Sequence, residues 1–478
     1  MTNTSKKKIT NGILWSTVET LATKGIQFLL SILIARLVSP SDYGIIAMLA
    51  IFLAIAQSFS DCGFSLALIQ KKDRTEADFS TVFYFNLIIA IISYLLLVIM
   101  SPYIATFYKE PLLNVVTPWV GIIIIISAFS IVQNAKLTID YNFKTLAKVS
   151  FYSVLIGGGF GLFLAWKGYG VWALIAQSIT TALLNVVFLF GYTRWIPKLI
   201  FSWNSFRELF SFGSKLLLGG LIHTIYLNLY SLVIGRRFSA FEVGLYSRSQ
   251  SIAFFPSSNF TIMISKVFYP ALCDIQNDSE KLSKLFLQSL RFSAFVIFPI
   301  MVGIQVLSQP LISCLLTDKW IAGAELLSIL CLAYMWYPIT YLNWQILNVK
   351  GRTDLSLKAE FIKKIFALVI LFATIPFGVK IMCWGLVFYN ITDIIVIIYF
   401  VKKVINVSYK EEIKHLTPVI LLSGFMGICI YISILIIQNP IIQLIGGTSV
   451  GLIVYIMFSY LFKFMEFETF KSIIKNRA

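Results

Sequence analysis

Long apolar stretches recur along this chain and are separated by short polar connections. Windows without Asp, Glu, Lys or Arg include residues 79–108, 111–135, 149–166, 168–193, 292–317, 326–349 and 416–462. A membrane-spanning helix needs about 20 apolar residues, so each window can hold one span and the last can hold two. We expect that last pair to turn near Asn439 and Pro440.

Further apolar segments carry isolated charges or are flanked by them. They begin near Asn11, Tyr43, Leu216, Val243, Phe361 and Ile381. With them, the pattern predicts an all-α integral membrane protein of about fourteen transmembrane helices. Composition supports this fold class, because 58% of the 478 residues are hydrophobic and 13% are charged, against roughly 25% charged residues in soluble domains. A soluble fold is therefore excluded.

The basic residues indicate the orientation in the membrane. The first apolar segment follows Lys6, Lys7 and Lys8 and contains Glu19, so we expect it to stay as the first helix and not to be removed as a signal peptide. With this end inside, most remaining Lys and Arg fall in alternate, cytoplasmic connections. The pattern predicts that both termini are cytoplasmic and that no large extramembrane domain is present.

A repeat divides the helices. Residues 31–45 read SILIARLVSPSDYGI and residues 231–245 read SLVIGRRFSAFEVGL, with identical residues at 31/231, 34/234, 36/236, 39/239 and 44/244. Six predicted helices separate the copies, so both halves have the same orientation, as in parallel-repeat transporters. We therefore predict two parallel-repeat six-helix lobes, residues 1–200 and 201–408, and a terminal helix pair with a cytoplasmic tail, residues 409–478.

The repeat itself has two interpretations. Ser39 with Asp42, and Ser239 with Glu242, match the capping box that starts a helix, so the motif can simply build a helical hairpin. Arg36 and Arg236 would then be interfacial anchors. Alternatively, the two arginines face a central cavity.

Charged residues inside the predicted spans are the best indication of function, because burying one costs roughly 2.5 to 3.5 kcal/mol on insertion scales. Basic groups outnumber acidic ones. A cavity lined by Lys and Arg would bind an anion such as the diphosphate of a lipid. The candidates are Lys24, Arg36, Arg236 and Arg248 in the cavity, with Lys215, Lys266 and Arg291 nearer the cytoplasmic entrance, where snorkelling is the alternative explanation.

The acidic groups and a histidine are candidates for coupling to an ion gradient. They are Glu19, Asp61, His223 and Asp393. His223 lies in mid-span and can titrate near neutral pH, while the two aspartates can bind a cation. Hydrogen bonds between helices are the alternative role for all of these side chains.

Other functions lack their sequence patterns. The net charge of +17 is spread over short clusters that form no continuous basic face, so nucleic acid is not expected as a partner. The six cysteines form no CxxC pair, and no phosphate-binding G-x-x-x-x-G-K-[ST] loop occurs. We predict no catalytic residue, no metal and no cofactor.

The strings IARLVSPSDYGIIAML, SDCGFSLALIQKKD, VGLYSRSQSIAFFP and KGRTDLSLK complete the pattern. The chain resembles the bacterial polysaccharide transporters of the lipopolysaccharide and colanic-acid type, within the multidrug/oligosaccharidyl-lipid/polysaccharide exporter superfamily. This resemblance implies a plasma-membrane flippase that moves an undecaprenyl-diphosphate-linked oligosaccharide outward by alternating access. It also implies coupling to a proton or sodium gradient and functional association with a polysaccharide polymerase.

Two other functions stay open. A multidrug exporter of the same superfamily would more naturally present acidic residues to cationic drugs. A membrane glycosyltransferase or polymerase would need a loop that carries reactive carboxylates or bases, and no connection here is large enough. The charge-free terminal pair, residues 416–462, is expected to pack outside the transport path.

Overall fold

The computed structural model describes residues 23–468, apart from the side chains at positions 215, 218 and 223. Within that range the chain forms helices joined by short turns, so the predicted all-α class is confirmed. The chain divides into two compact units, Met1–Gly244, here called the N-terminal unit, and Leu245–Ala478, the C-terminal unit. The predicted lobe boundaries at residues 200 and 408 stay a prediction.

The N-terminal unit pairs neighbouring helices. Within it, α4 packs on α5, α6 packs on α7, and α2 contacts α4, α5 and α8. The helices are residues 23–37 (α1), Pro40–Asp61 (α2), Phe64–Gln70 (α3), Glu76–Tyr108 (α4), Leu112–Ile139 (α5), Phe143–Trp166 (α6), Val171–Thr193 (α7) and Trp203–Arg237 (α8).

The helix α9, Ala240–Asp274, begins in the N-terminal unit and continues in the C-terminal unit. In that second unit α10 packs on α16, α14 packs on α15, and α16 packs on α17. The remaining helices are Ser279–Val306 (α10), Ser308–Leu316 (α11), Gly323–Tyr334 (α12), Tyr337–Val349 (α13), Thr353–Thr374 (α14), Val379–Val401 (α15), Tyr409–Ile436 (α16) and Pro440–Leu461 (α17).

Local sequence signals explain most helix ends. The turn expected near Asn439 and Pro440 is confirmed, because the Asn439 side chain accepts hydrogen bonds from the backbone N–H groups that begin α17. Several helices begin earlier than predicted, and the differences are largest for α8 at Trp203, α10 at Ser279 and α14 at Thr353. Each of these three has polar first turns that precede its apolar part, so apolarity alone places the start too late.

Eleven helical segments of the described residues are long and apolar enough to cross a membrane. Residues 40–70 count as one of these segments, although Cys62 and Gly63 have positive φ angles and separate α2 from α3. The helices α9 and α14 are not among the eleven, and α1 is described over residues 23–37 only. The number fourteen requires all three of them as spans, and it stays a prediction.

Candidate functional site

The repeat builds the starts of two helices. At α2, the Ser39 hydroxyl accepts from the backbone N–H of Asp42, and the Asp42 carboxylate accepts from the backbone N–H of Ser39, which forms a complete capping box. At α9, the Ser239 hydroxyl accepts from the backbone N–H of Glu242 at 3.3 Å. The first copy of the motif therefore forms a complete helix cap, and the second copy forms the Ser239 hydrogen bond of such a cap.

The two copies also contact each other. A Cβ atom placed on Gly44 would fall on the carbonyl oxygen of Ala240, and one placed on Gly244 would fall on the carbonyl oxygen of Pro40. Only glycine leaves room for such an approach between backbones. The matched glycines of the repeat thus form a reciprocal contact between the first turns of α2 and α9. The sequence shows that both copies of the repeat have glycine at this position, but it does not show that the two copies are in contact there.

Three of the predicted diphosphate-binding residues are exposed. Lys24 lies near the described start of α1, and Arg36 lies at the end of that helix. Arg236, at the end of α8, donates from Nη1 to the carbonyl oxygen of Phe107 at 2.7 Å. Its guanidinium also lies 5.0 Å from the centre of the Phe107 ring. These contacts are typical of an interfacial anchor.

The fourth residue, Arg248, is buried. It is 5% exposed and lies in α9 one turn after Gly244. Its neighbour Ser249 is also buried and donates to the carbonyl oxygen of Gly323 at 2.8 Å, which ties this part of α9 to α12. Arg248 is thus a cation held within a membrane-sized helix.

The three residues predicted at the cytoplasmic entrance differ from one another. Lys266 is exposed on α9, and the side chain of Lys215 lies outside the described part of the structure. Arg291 on α10 pairs with Glu466 at 2.7 Å and lies 5.6 Å from the centre of the Phe464 ring. Arg291 therefore has a carboxylate partner within its own unit.

Two of the predicted coupling residues cannot be placed, because Glu19 and the His223 side chain lie outside the described residues. Asp61 is at the end of α2, where its Oδ1 accepts from the backbone N–H of Ser65 at 3.2 Å. Asp61 thus stabilises the start of α3 after the break at Gly63.

Asp393 belongs to a buried ion cluster. Its Oδ1 lies 2.9 Å from the Nζ of Lys363, which also pairs with Glu360 at 2.8 Å. Lys363 is 4% exposed and Asp393 is 7% exposed, so both charges are withdrawn from solvent. The pairing joins α14 to α15. Sequence reasoning missed Lys363, although a lysine inside a segment that must be largely apolar was a signal that could have found it.

A second group of charges lies near the start of α8. Lys71 donates to Asp78 at 3.1 Å and to Glu208 at 2.8 Å. Burial alone would lower the pKa of Lys71, but its hydrogen bonds to Glu208 and Asp78 outweigh burial and leave that pKa raised. The cluster borders a cavity of about 360 Å³ between α3 and α8.

The connection from α7 to α8 is tied to the start of α4. Trp195 Nε1 donates to Glu76 at 2.9 Å, and the backbone N–H groups of Lys198 and Ser202 donate to the hydroxyls of Ser80 and Thr81. These bonds position the first turns of α8 on the N-terminal unit.

Comparison with known sequences reveals a family. The sequence pattern of the family described as polysaccharide biosynthesis protein matches residues 33–325. The chain is 24% identical to the teichuronic acid biosynthesis protein TuaB of Bacillus subtilis, with 88% of both chains covered. It is 22% identical to the lipopolysaccharide biosynthesis protein WzxC of Escherichia coli, again over 88% of both chains. The succinoglycan biosynthesis transport protein ExoT of Rhizobium meliloti is 24% identical over 68% of this chain and 66% of its own.

Solved structures show the same fold. The lipid II flippase MurJ in an inward closed conformation superposes with a TM-score of 0.77 and 18% identity, covering 94% of this chain and 98% of that protein. An inward-facing multidrug resistance transporter of the MATE family superposes with a TM-score of 0.61 and 17% identity, covering 79% and 94%. At such identities the likeness describes the fold and not the substrate.

Proposed function

Since the matched region is more than half of its length, the chain belongs to the polysaccharide biosynthesis protein family, and we propose that it is a flippase for a lipid-linked oligosaccharide. Its cargo would be an undecaprenyl-diphosphate-linked repeat unit, carried from the cytoplasmic to the outer leaflet by alternating access. Relatives named for biosynthesis of teichuronic acid and lipopolysaccharide, and for transport of succinoglycan, support this class of cargo.

Arg248 is the observation that carries the proposal. A guanidinium buried inside a membrane-sized helix costs several kcal/mol, and such groups usually mark a substrate or ion pathway. Its planar fork pairs with phosphate oxygens through two hydrogen bonds, and it does so most strongly where water is excluded. We therefore assign Arg248 to the diphosphate of the cargo.

The other cations take secondary roles in this proposal. Lys24 stays a candidate for binding phosphate, while Arg36 and Arg236 serve as interfacial anchors, a role supported by the contact of Arg236 with Phe107. Lys215, Lys266 and Arg291 belong to the cytoplasmic approach in this proposal, and Arg291 pairs there with Glu466. Asp393 remains the candidate for coupling, because it is buried beside a basic group that a bound cation can replace.

The proposed setting is a bacterial plasma membrane with both termini in the cytoplasm, as the distribution of Lys and Arg indicates. A polysaccharide polymerase on the outer side would use the flipped repeat unit. The charge-free residues 416–462, which form most of α16 and all of α17, would lie outside the path of the cargo.

Deletion of the gene in its own host tests the proposal. We expect loss of the surface glycan and accumulation of the lipid-linked repeat unit in the cytoplasmic leaflet, both reversed by the wild-type chain. Accumulation of unpolymerised units in the outer leaflet would instead indicate a polymerase. An intact surface glycan with raised sensitivity to cationic drugs would indicate a multidrug exporter and would overturn the flippase assignment.

A further inference from the structure

Two adjacent glutamates in the first turn of α16 have different surroundings. Glu411 is exposed and completes a capping box, accepting from the backbone N–H of Ser408 at 2.7 Å. Glu412 is 1% exposed, although it is the next residue along the same helix. The cap therefore explains Glu411, and Glu412 needs a separate explanation.

An amide of a neighbouring helix reaches the Glu412 carboxylate. Asn343 of α13, itself fully buried, donates from Nδ2 to Glu412 Oε2 at 3.1 Å. The other carboxylate oxygen, Oε1, and the amide oxygen Oδ1 of Asn343 are both buried, and neither accepts a hydrogen bond from any residue between 23 and 468. Two acceptor oxygens thus lie unsatisfied on one hydrogen-bonded pair of side chains.

No basic side chain of residues 23–468 forms an ion pair with Glu412. On α10, Arg291 pairs with Glu466, Lys281 pairs with Asp278, and Lys284 is exposed. On α16 itself, Lys410 and Lys414 are exposed and His415 Nδ1 contacts the carbonyl oxygen of Glu411. The helices α13 and α17 contain no charged residue.

A buried carboxylate without a cation is unstable and is neutralised by a proton or by a bound ion. Carboxylate and amide oxygens are also the ligands that hard cations prefer. We propose that Glu412 and Asn343 form a binding site for one positive charge, either a proton or a sodium ion, that links α13 to α16. This site does not depend on which molecule the transporter carries.

Melting of the purified full-length protein tests the site. In wild type, the melting temperature should rise with sodium chloride relative to choline chloride at equal ionic strength if sodium fills the site. If a proton fills it, the melting temperature should instead fall as the pH is raised between about 5 and 8 in sodium-free buffer. Glu412→Gln should lose whichever response wild type shows, while the matched variant Glu411→Gln should keep it. The same response in wild type and Glu412→Gln would overturn the proposal.

A labelling experiment needs no variant. A hydrophobic carbodiimide takes the proton of a carboxylic acid on nitrogen while the carboxylate oxygen attacks its central carbon, and the adduct rearranges to an N-acylurea without a leaving group. Mass spectrometry should find the whole reagent on Glu412 and not on Asp393, which is buried but paired with Lys363. Sodium protects Glu412 if the ion fills the site, and a high pH protects it if a proton does. Labelling of Asp393 in preference to Glu412 would contradict the assignment.

Discussion

The two units of this chain hold their charges in different ways. In the N-terminal unit the predicted cationic residues Lys24, Arg36 and Arg236 are exposed, and the buried carboxylate of Asp78 lies in the first turn of α4 beside Lys71. In the C-terminal unit more charged side chains are withdrawn from solvent: Arg248, Lys363 and Asp393 lie inside helices, whereas Glu412 lies in the first turn of α16 and Glu466 follows α17.

This difference separates two uses of charge in a membrane protein. Charges at helix ends orient and anchor helices at little cost, because their head groups remain in a polar environment. Charges inside an apolar unit are expensive and persist only with a partner, a ligand or a bound ion. We therefore expect substitutions of buried charges in the C-terminal unit to have larger effects than similar substitutions in the N-terminal unit.

The largest effect is expected at Arg248. Arg248→Glu should lower glycan export by more than about tenfold, because the reversed charge repels the phosphate that the guanidinium would bind. Export is measured as surface glycan in the complemented deletion strain, with protein amount checked in the membrane. Lys358→Glu, which reverses an exposed cation of the same unit, is the matched control. Equal glycan export by both variants would show that a buried charge matters no more for export than an exposed one.

The next effect concerns stability. Lys363→Met leaves Asp393 buried without its cation, and we expect a loss of about 3–5 kcal/mol in the free energy of unfolding, seen as a lower melting temperature. The double variant Lys363→Met with Asp393→Asn should recover much of that loss, since the remaining partner of Lys363, Glu360, has a side chain that is 38% exposed and can be hydrated. If the double variant is as unstable as the single one, loss of the Lys363–Asp393 ion pair is not the cause of the lower melting temperature.

The N-terminal unit should respond instead at its backbone contact. Gly44→Ala places a Cβ on the carbonyl oxygen of Ala240, and such overpacking typically costs about 1–3 kcal/mol. Gly25→Ala, at a helical glycine whose Cβ would have no neighbour within 4 Å in the described part of the chain, is the control and should be neutral or slightly stabilising. Similar melting temperatures for the two variants would show that the contact at Gly44 is loose.

The smallest effect is expected at Arg236. Arg236→Ala removes an exposed hydrogen bond and a ring contact with Phe107, together about 1 kcal/mol, and should leave glycan export within about twofold of wild type. The same export assay and a melting curve measure both quantities. If glycan export is lost while the amount of protein is normal, Arg236 is a diphosphate-binding residue and not an anchor. Exposed charges of the N-terminal unit would then matter as much as buried charges of the C-terminal unit.

Much of the fold was predictable because a bilayer imposes simple rules. Apolar windows gave the bodies of α4 to α7 and the pair α16 and α17, and capping residues such as Ser39 and Asn439 marked helix starts. The break after Asp61 was not foreseen. It depends on positive φ angles at Cys62 and Gly63, and a cysteine carries no sequence signal for such a conformation.

The buried polar groups were less predictable. Asp393 was a candidate because it interrupts an apolar run, yet its partner Lys363 lies on another helix, and hydropathy does not say which helix faces meet. Glu412 was hidden for a different reason. It follows Lys410 and precedes Lys414, so it resembles a residue of a solvated cytoplasmic connection, whereas the helix turns it inward towards Asn343.

The reciprocal contact of Gly44 and Gly244 has a consequence for the history of the chain. A repeated segment that packs against its own copy cannot drift alone, since any side chain gained by one copy collides with the backbone of the other. Selection on either half therefore acts on both. The short motif around these glycines is therefore where we expect the two copies of the repeat to stay most alike.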